Sequence, residues 1–200
     1  METQMEKVSY IIGQQIGADF KKQGLDIIPS IFADSVAAAF KGEESKLSPQ
    51  ETQATMEEFQ SIMTAKMEES NKSLGEAGIA FLAANKDKDG VTVTPTGLQY
   101  KILESGNGST PAIDATVEVN YEGSLIDGTV FDSSYKRGES ISFPVNGVIP
   151  GWTEALMLMK EGDTWELTIP SELAYGDRGA GAQIPPQATL IFKVELIKVK

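Results

Sequence analysis

Residues 143–152 read Phe-Pro-Val-Asn-Gly-Val-Ile-Pro-Gly-Trp, and the fold of the carboxyl-terminal half follows from this stretch. Its two prolines lack N–H donors and fix their own φ angles, so the segment is stiff without being a regular strand. Trp152 begins a helical pattern that continues with Leu156 and Met159. An apolar turn that leads into such a tryptophan is typical of two arrangements. It forms the floor of an apolar pocket, or it closes a small core. Periodicity alone does not decide between these two interpretations.

The segments around this stretch alternate between apolar and polar residues, which is the pattern of half-buried strands. They lie at residues 98–103, 117–121, 141–143, 165–169 and 190–196. We predict an antiparallel sheet of about five strands. The helix of residues 152–160 is expected to cover its apolar face, because no other helix is predicted in this half.

The amino-terminal half has helical periodicity instead. Apolar residues recur every fourth position from Val8 to Phe20, and a second helix starts near Pro29 and ends at Gly42. Residues 48–51 have the sequence of a capping box, and the proline-free segment after them predicts a helix of about 35 residues. At 1.5 Å per residue this helix would be ~50 Å long. It cannot bury its whole length against two short helices, so we predict a helical dimerisation domain.

The segment Asn-Lys-Asp-Lys-Asp-Gly at residues 85–90 is interpreted as a polar hinge at the end of the long helix. Pro95 and Gly97 follow as further markers of a domain boundary. We therefore predict two domains. Residues 1–88 hold the dimerisation domain with its long connecting helix, and residues 89–200 hold the sheet domain. The predicted fold class is α+β, with a twisted antiparallel sheet wrapped around one short helix.

The 200-residue chain contains no cysteine and no histidine. This composition excludes disulfides, thiol nucleophiles, the usual zinc sites and histidine acid–base chemistry, and we expect no cofactor. The net charge of −12 disfavours a nucleic-acid partner. No apolar run has the length of a membrane span. We expect a cytoplasmic protein if Met1 is the native start, and a periplasmic one if a signal peptide has been removed.

Aromatic residues accumulate in the second half at predicted strand ends, at turns and at the helix start. They outnumber what one small core needs: Tyr121, Phe131, Phe143, Trp152, Tyr175 and Phe192. Asp132 and the glycine-rich loop of residues 174–181 add polar groups to the same rim. Largely apolar walls with a few placed polar groups describe a ligand pocket. The glycine loop lacks the Gly-Lys-Ser/Thr sequence of a phosphate-binding loop.

Five motifs in this half occur in a characteristic order and spacing. They are Val-Asn-Tyr at 119–121, Gly-Thr-Val-Phe-Asp-Ser-Ser at 128–134, Val-Ile-Pro-Gly-Trp at 148–152, Leu-Ala-Tyr-Gly at 173–176 and Ile-Pro-Pro-Gln-Ala-Thr-Leu at 184–190. Together they resemble the tacrolimus-binding peptidyl-prolyl isomerases, the FKBP family, over residues 96–200. The helices before them resemble the bacterial dimeric class of this family, the FkpA and macrophage-infectivity-potentiator group.

The resemblance implies which residues form the pocket. The implied catalytic residues are Tyr121, Phe131, Asp132, Ile149, Trp152, Tyr175 and Phe192, and the implied substrate-binding residues are Ile141, Phe143, Val148, Ala180 and Ile184. Trp152 would be the floor against which a proline ring packs, while the N–H of Ile149 and the hydroxyl of Tyr175 would bind ligand carbonyls. Ile141 stands where some members have an aromatic residue, and the loop near Ala180 lacks a histidine found in others. Both departures lie at the rim and bear on ligand preference.

The resemblance also implies a function, a peptidyl-prolyl cis-trans isomerase that accelerates X-Pro rotation in folding proteins by binding the twisted imide in a dry aromatic pocket. The implied partners are proline-containing unfolded or partly folded proteins, tacrolimus-like inhibitors and a second copy of the chain bound through the amino-terminal helices. An alternative is a dimeric holdase-type chaperone whose isomerase activity is secondary. The long helix and its methionine stripe favour this alternative, although the methionines also fit simple core packing.

Overall fold

The computed structural model describes all residues from 1 to 200 and divides into two compact units, residues 1–60 and 61–200. The helices are α1 (Gln4–Lys22), α2 (Pro29–Phe40), α3 (Pro49–Asn85), α4 (Ser134–Arg137) and α5 (Pro150–Leu158). The strands are β1 (Val91–Val93), β2 (Gln99–Glu104), β3 (Thr116–Leu125), β4 (Val130–Ser133), β5 (Ile141–Pro144), β6 (Thr164–Ile169) and β7 (Leu190–Val199). This is the α+β fold predicted from the sequence.

The first unit consists of α1, α2 and the beginning of α3. The predicted capping box is present at the start of α3, where the Glu51 N–H donates to Ser48 Oγ at 3.2 Å and the Ser48 N–H donates to the Glu51 carboxylate at 2.9 Å. The rings of Phe20 and Phe32 pack edge to face with centroids 5.4 Å apart. No residue between 1 and 60 is buried. The unit therefore has no closed core within one chain.

The second unit is built on an antiparallel sheet. Its strands are ordered β1-β2-β6-β7-β3-β4, and β5 pairs with β3. The two ten-residue strands β3 and β7 pair along most of their length. Their inward side chains alternate with exposed or half-buried ones, and Val117, Val119, Val194 and Leu196 are fully buried. The apolar positions that alternate in the sequence therefore face the core, and the positions between them are partly or fully exposed.

Helix α5 covers the apolar face of this sheet, as the sequence predicts. Trp152, Ala155 and Leu156 are buried within the helix, and Met159 is buried directly after it. The helix runs from Pro150 to Leu158 rather than over residues 152–160, because the proline suits the first helical position, where no N–H is needed. The core of the second unit lies between α5 and the sheet.

Three short elements lie outside the predicted set. Strands β1 and β4 contain three and four residues, and helix α4 contains four. Segments this short give at most a weak period, and of the strands of three or four residues only β5 was predicted. Helix α4 is defined by its ends, since Ser133 Oγ accepts from the Lys136 N–H at 3.3 Å and Gly138 ends the helix with a left-handed φ of 72°.

The end of α3 differs from the predicted polar hinge. Asn85, the last residue of the helix, is only 4% exposed. Its side-chain amide donates to Gln99 at 2.9 Å and to Thr168 at 3.2 Å, and the Gln99 amide donates to the Leu82 carbonyl at 2.9 Å. Reading Asn85 as the first residue of a hinge is therefore wrong, because buried partners in β2 and β6 satisfy its polar group.

None of the five helices has the combination of length and apolar character that crossing a membrane requires.

Candidate active site

A cavity of about 730 Å³ opens in the second unit. Its walls come from β3, β4, β5, the start of α5, the loop after β6 and strand β7. All twelve residues predicted for the pocket line it: Tyr121, Phe131, Asp132, Ile141, Phe143, Val148, Ile149, Trp152, Tyr175, Ala180, Ile184 and Phe192. The volume is that of a site for a small molecule or a short peptide segment.

Trp152 lies at the centre of an aromatic cluster in this pocket. Its ring meets Tyr121 at 5.3 Å, Phe192 at 5.2 Å and Phe143 at 5.6 Å between centroids, with interplanar angles of 60–89°. Edge-to-face contacts of this kind are favourable and restrict ring rotation. Trp152 is only 5% exposed. Trp152 therefore belongs to the core and also lines the cavity.

The turn before α5 presents Trp152 and leaves one backbone donor free. Ile149 is the N-cap of α5, and its carbonyl accepts from the N–H groups of Trp152 and Thr153. Thr153 Oγ1 donates to the Val145 carbonyl at 2.8 Å and so fixes the turn to the helix. The Ile149 N–H itself makes no hydrogen bond within the protein. A donor at a helix start is available to a ligand carbonyl.

The opposite wall of the pocket depends on a close approach at Gly123 of β3. The rings of Phe131 and Phe192 pack edge to face at 5.6 Å. A Cβ atom on Gly123 would stand 2.6 Å from the Phe192 ring and 2.7 Å from the Phe131 ring. Only a residue without a side chain leaves these two rings in place.

Asp132 holds the polar edge of the pocket together. Its carboxylate accepts hydrogen bonds from the Tyr121 hydroxyl and from Arg137, and Arg137 also donates to the Tyr121 hydroxyl at 3.1 Å. Burial raises the pKa of Asp132, but the bonds from Tyr121 and Arg137 outweigh burial and hold this pKa below its ordinary value. Burial and the bond to Asp132 raise the pKa of Tyr121. Near neutral pH the carboxylate is therefore charged and the phenol is not.

The remaining wall is the loop after β6. Ala180 and Ile184 exchange two backbone hydrogen bonds, of 2.8 and 3.1 Å, and both side chains line the cavity. Tyr175 is 39% exposed at the rim, and its hydroxyl has no hydrogen-bond partner within the chain. The loop therefore adds two apolar contacts and one free hydroxyl.

Sequence reasoning missed three residues of this site. Gly147 and Gln183 line the pocket, and Arg137 pairs with Asp132. Arg137 is one of only two arginines in the chain, and it lies five positions after Asp132. That spacing gave no signal, because the four-residue helix α4, which ends at Arg137, cannot be read from a period. Gln183 lies in a loop without any pattern.

Family comparison agrees with this geometry along almost the whole chain. Residues 107–197 match the model of the FKBP-type peptidyl-prolyl cis-trans isomerase domain. Residues 5–102 match the domain described as amino-terminal to FKBP-type peptidyl-prolyl isomerase. The chain belongs to the FKBP family of peptidyl-prolyl cis-trans isomerases. It is therefore an isomerase that acts on proline-containing chains, as the motifs of its second half indicate.

Individual FKBP relatives match over both units. The chain is 47% identical to the outer membrane protein MIP of Legionella longbeachae, across 100% of this chain and 88% of the relative. It is 44% identical to the FKBP-type 22 kDa peptidyl-prolyl cis-trans isomerase of Escherichia coli K12, across 96% and 94%. The crystal structure of FkpA from Escherichia coli matches with a TM-score of 0.77 and 39% identity, covering 100% of this chain and 98% of that one.

Proposed function

We propose that the aromatic pocket is the site at which this FKBP isomerase rotates X-Pro bonds. The observation that carries the proposal is that the twelve residues implied by the resemblance surround one cavity, with Trp152 among them. A proline ring would pack on Trp152, in contact with the walls formed by Phe131 and Phe192. The residue before proline would lie towards Ile141 and Phe143 at the rim.

Catalysis would come from binding the twisted imide better than the planar one. Rotation about a peptide bond has a barrier of ~18 to 20 kcal/mol because resonance keeps it planar. The twisted form loses conjugation and with it part of the amide dipole that water solvates well. A pocket that excludes water therefore favours the twisted form over the ground state, which is differential binding of the transition state. A thousandfold acceleration needs only about 4 kcal/mol.

Two hydrogen-bond donors would orient the substrate within this pocket. The Ile149 N–H and the Tyr175 hydroxyl are both free within the chain and both line the cavity. Each would bind a carbonyl of the substrate backbone. Asp132 would hold Tyr121 and Arg137 in place, since its hydrogen bonds are already made within the protein. No nucleophile or general base is part of this mechanism.

Tacrolimus provides a direct test of the site assignment. The chain has two tryptophans, of which Trp152 lines the pocket, whereas Trp165 is buried against Tyr100. We expect tacrolimus to change the tryptophan fluorescence of the wild type and to inhibit isomerisation of a Leu-Pro tetrapeptide with the same midpoint. The conservative variant Trp165→Phe should keep the fluorescence response. Inhibition that occurs without any change in Trp152 emission would contradict this placement.

The amino-terminal helices are proposed to form a homodimer. No residue between 1 and 60 is buried within one chain. Ile31 is 62% exposed and Phe40 is 92% exposed, and large apolar groups of this kind are stabilised by burial in a partner.

The division into two functional domains at residue 88 also stays a proposal. The second compact unit starts at residue 61 and so includes the second half of α3.

A second activity, the capture of unfolded clients, is supported by the exposed apolar side chains of α3. Met56 is 59% exposed and Phe59 is 38% exposed. Flexible methionines and exposed rings suit partners of varied sequence. The clients would be unfolded or partly folded proteins, and isomerisation stays the main function.

Blocking the pocket separates the two activities. Aggregation of a proline-free client would be measured with and without saturating tacrolimus. Suppression that survives tacrolimus supports capture by the helices. Complete loss of suppression on blocking the pocket would contradict a separate holdase activity.

The location of the protein is proposed from its relatives. The cytoplasmic location expected for a native start at Met1 gains no support from them, and one relative is named an outer membrane protein. We therefore place the isomerase in the cell envelope. Fractionation of cells with an antibody against the chain tests this, and recovery in the cytoplasmic fraction alone would contradict it.

A further inference from the structure

The loop of residues 175–189 has two contact faces. Tyr175 and Ile184 line the isomerase pocket. Gln187 and Thr189 line a second cavity, of about 560 Å³, whose other wall is the second half of α3. One face of the loop therefore lines the pocket, and the other face contacts the long helix.

Gln187 has an unusual backbone conformation, and its side chain lies against α3. It is the only residue other than glycine with a positive φ, at 59°. Glycine adopts this conformation more readily than a residue with a side chain. The Gln187 side chain lies against α3 at Gly75, where a Cβ atom would stand 2.4 Å from Gln187 Oε1. Gly75 thus provides the space in which the glutamine amide lies.

A second contact lies three residues further along the same helix. Gly78 is buried, and a Cβ atom on it would stand 2.5 Å from Thr189 Oγ1. Thr189 is only 4% exposed. Positions 75 and 78 share one face of the helix because residues three apart are neighbours on its surface. The loop is therefore in close contact with α3 at two points.

The contact at Gln187 is connected to the pocket by the backbone. The Gln187 N–H donates to the Gly176 carbonyl at 2.8 Å, and Gly176 directly follows Tyr175. At the tip of the loop, Ala180 and Ile184 exchange two backbone hydrogen bonds. A displacement of Gln187 would thus reach the Tyr175 side chain through one hydrogen bond and one peptide unit.

We propose that the second half of α3 holds this loop in the conformation that completes the isomerase pocket. Gln187 packs against Gly75 and is a positioning residue for Tyr175. The inference rests on the proposed function of the pocket. Holding the loop raises the fraction of molecules whose pocket is ready for substrate. This lowers KM and leaves the bound complex unchanged, because substrate orders the loop in either case.

The test is Gly75→Ala in the full chain, which adds one methyl group to the helix and leaves the loop sequence intact. The new Cβ displaces the Gln187 amide. We expect the KM for a Leu-Pro tetrapeptide and the Kd for tacrolimus to rise about fivefold, with kcat within about twofold of the wild type. In a Gln187→Gly background the same substitution has no further effect, because the group it displaces is gone. The matched control is Gly13→Ala in α1, where a Cβ meets nothing within 4 Å.

Hydrogen exchange gives a readout that does not depend on turnover. In Gly75→Ala the amides of residues 175–184 should exchange faster than in the wild type, while those of β3 and β7 should not. Unchanged KM, equal effects in both backgrounds or a fall in kcat at constant KM would each overturn the proposal. Phe131→Ala is assayed in parallel. If it keeps full activity, the pocket assignment fails; if it loses activity while Gly75→Ala matches the wild type, only the positioning role fails.

Discussion

Asp132, one of the seven residues implied as catalytic, lies at the polar edge of the pocket. There it can act electrostatically on the substrate or hold the pocket wall. In the structure its carboxylate is occupied by Tyr121 and Arg137, and its side chain is 41% exposed. A carboxylate with these bonds is better suited to holding the pocket wall than to acting on the substrate. Arg137, which could not be predicted, is a second partner of the carboxylate and supports this interpretation.

Asp132→Asn tests the holding role. The amide oxygen keeps an acceptor for Arg137 but loses the charge, and exposed ion pairs contribute little. We expect kcat/KM for a Leu-Pro tetrapeptide to fall about threefold. Asp127→Asn in the turn between β3 and β4 is the matched control and should have no effect. A fall of about a hundredfold or more would instead assign Asp132 a direct electrostatic role.

The pH dependence follows from the same residues. The pKa of Asp132 is lowered and that of Tyr121 is raised, so neither group titrates between about pH 5 and 9. A lowered carboxyl pKa stabilises the folded state above its unfolded value, and that stabilisation is lost as the pH falls through the folded value. We expect kcat/KM for an uncharged peptide to be flat from about pH 5.5 to 9 and to fall only in acid. A bell-shaped profile centred near neutrality would contradict the mechanism.

At the scale of secondary structure, two properties decide what can be predicted from the sequence. They are the length of an element and the sequence separation between a residue and its hydrogen-bond partner. Strands β3 and β7 were predictable because alternation persists over residues 117–121 and 190–196, and helix α3 because a capping box precedes a long proline-free segment. Strand β4 and helix α4 contain four residues each and show no period. The role of Asn85 was hidden for another reason, since its partner Thr168 lies 83 positions away.

Asn85 provides the test at this scale. Asn85→Ala removes a buried amide and leaves the acceptors on Gln99 and Thr168 without that donor. We expect the free energy of unfolding to fall by about 1–3 kcal/mol, measured by urea denaturation of the full chain. Asn107→Ala, at an exposed position, is the control and should change it little. Equal stability of both variants would contradict the attachment of α3 to the sheet.

At the scale of the whole molecule, the two units differ in whether they bury their own apolar residues. Its apolar residues were predicted to form a dimer interface, and the absence of any buried residue between 1 and 60 supports that prediction. The second unit differs, because it closes its own core around α5. We therefore expect the isomerase pocket to be complete in each chain and independent of association.

Ile31→Glu tests association. A charge at this exposed apolar position of α2 should convert the dimer to a monomer in analytical ultracentrifugation, because burying an unpaired carboxylate is costly. Activity on a tetrapeptide should remain. The control is Met157→Glu, on the exposed surface of α5, which should leave the mass unchanged. A wild-type chain that sediments as a monomer would refute the dimer.

The central claim is that a dry aromatic pocket rotates the X-Pro bond, and Phe131→Ala tests it most directly. Phe131 is a half-buried wall of the pocket, so its loss admits water without removing the core. The measurement is kcat/KM for a Leu-Pro tetrapeptide, with the melting temperature as a check of folding and Tyr10→Ala in α1 as the matched aromatic control. The account predicts at least about a tenfold loss, equivalent to ~1.4 kcal/mol of transition-state stabilisation, in a folded protein. Wild-type turnover by folded Phe131→Ala would contradict it.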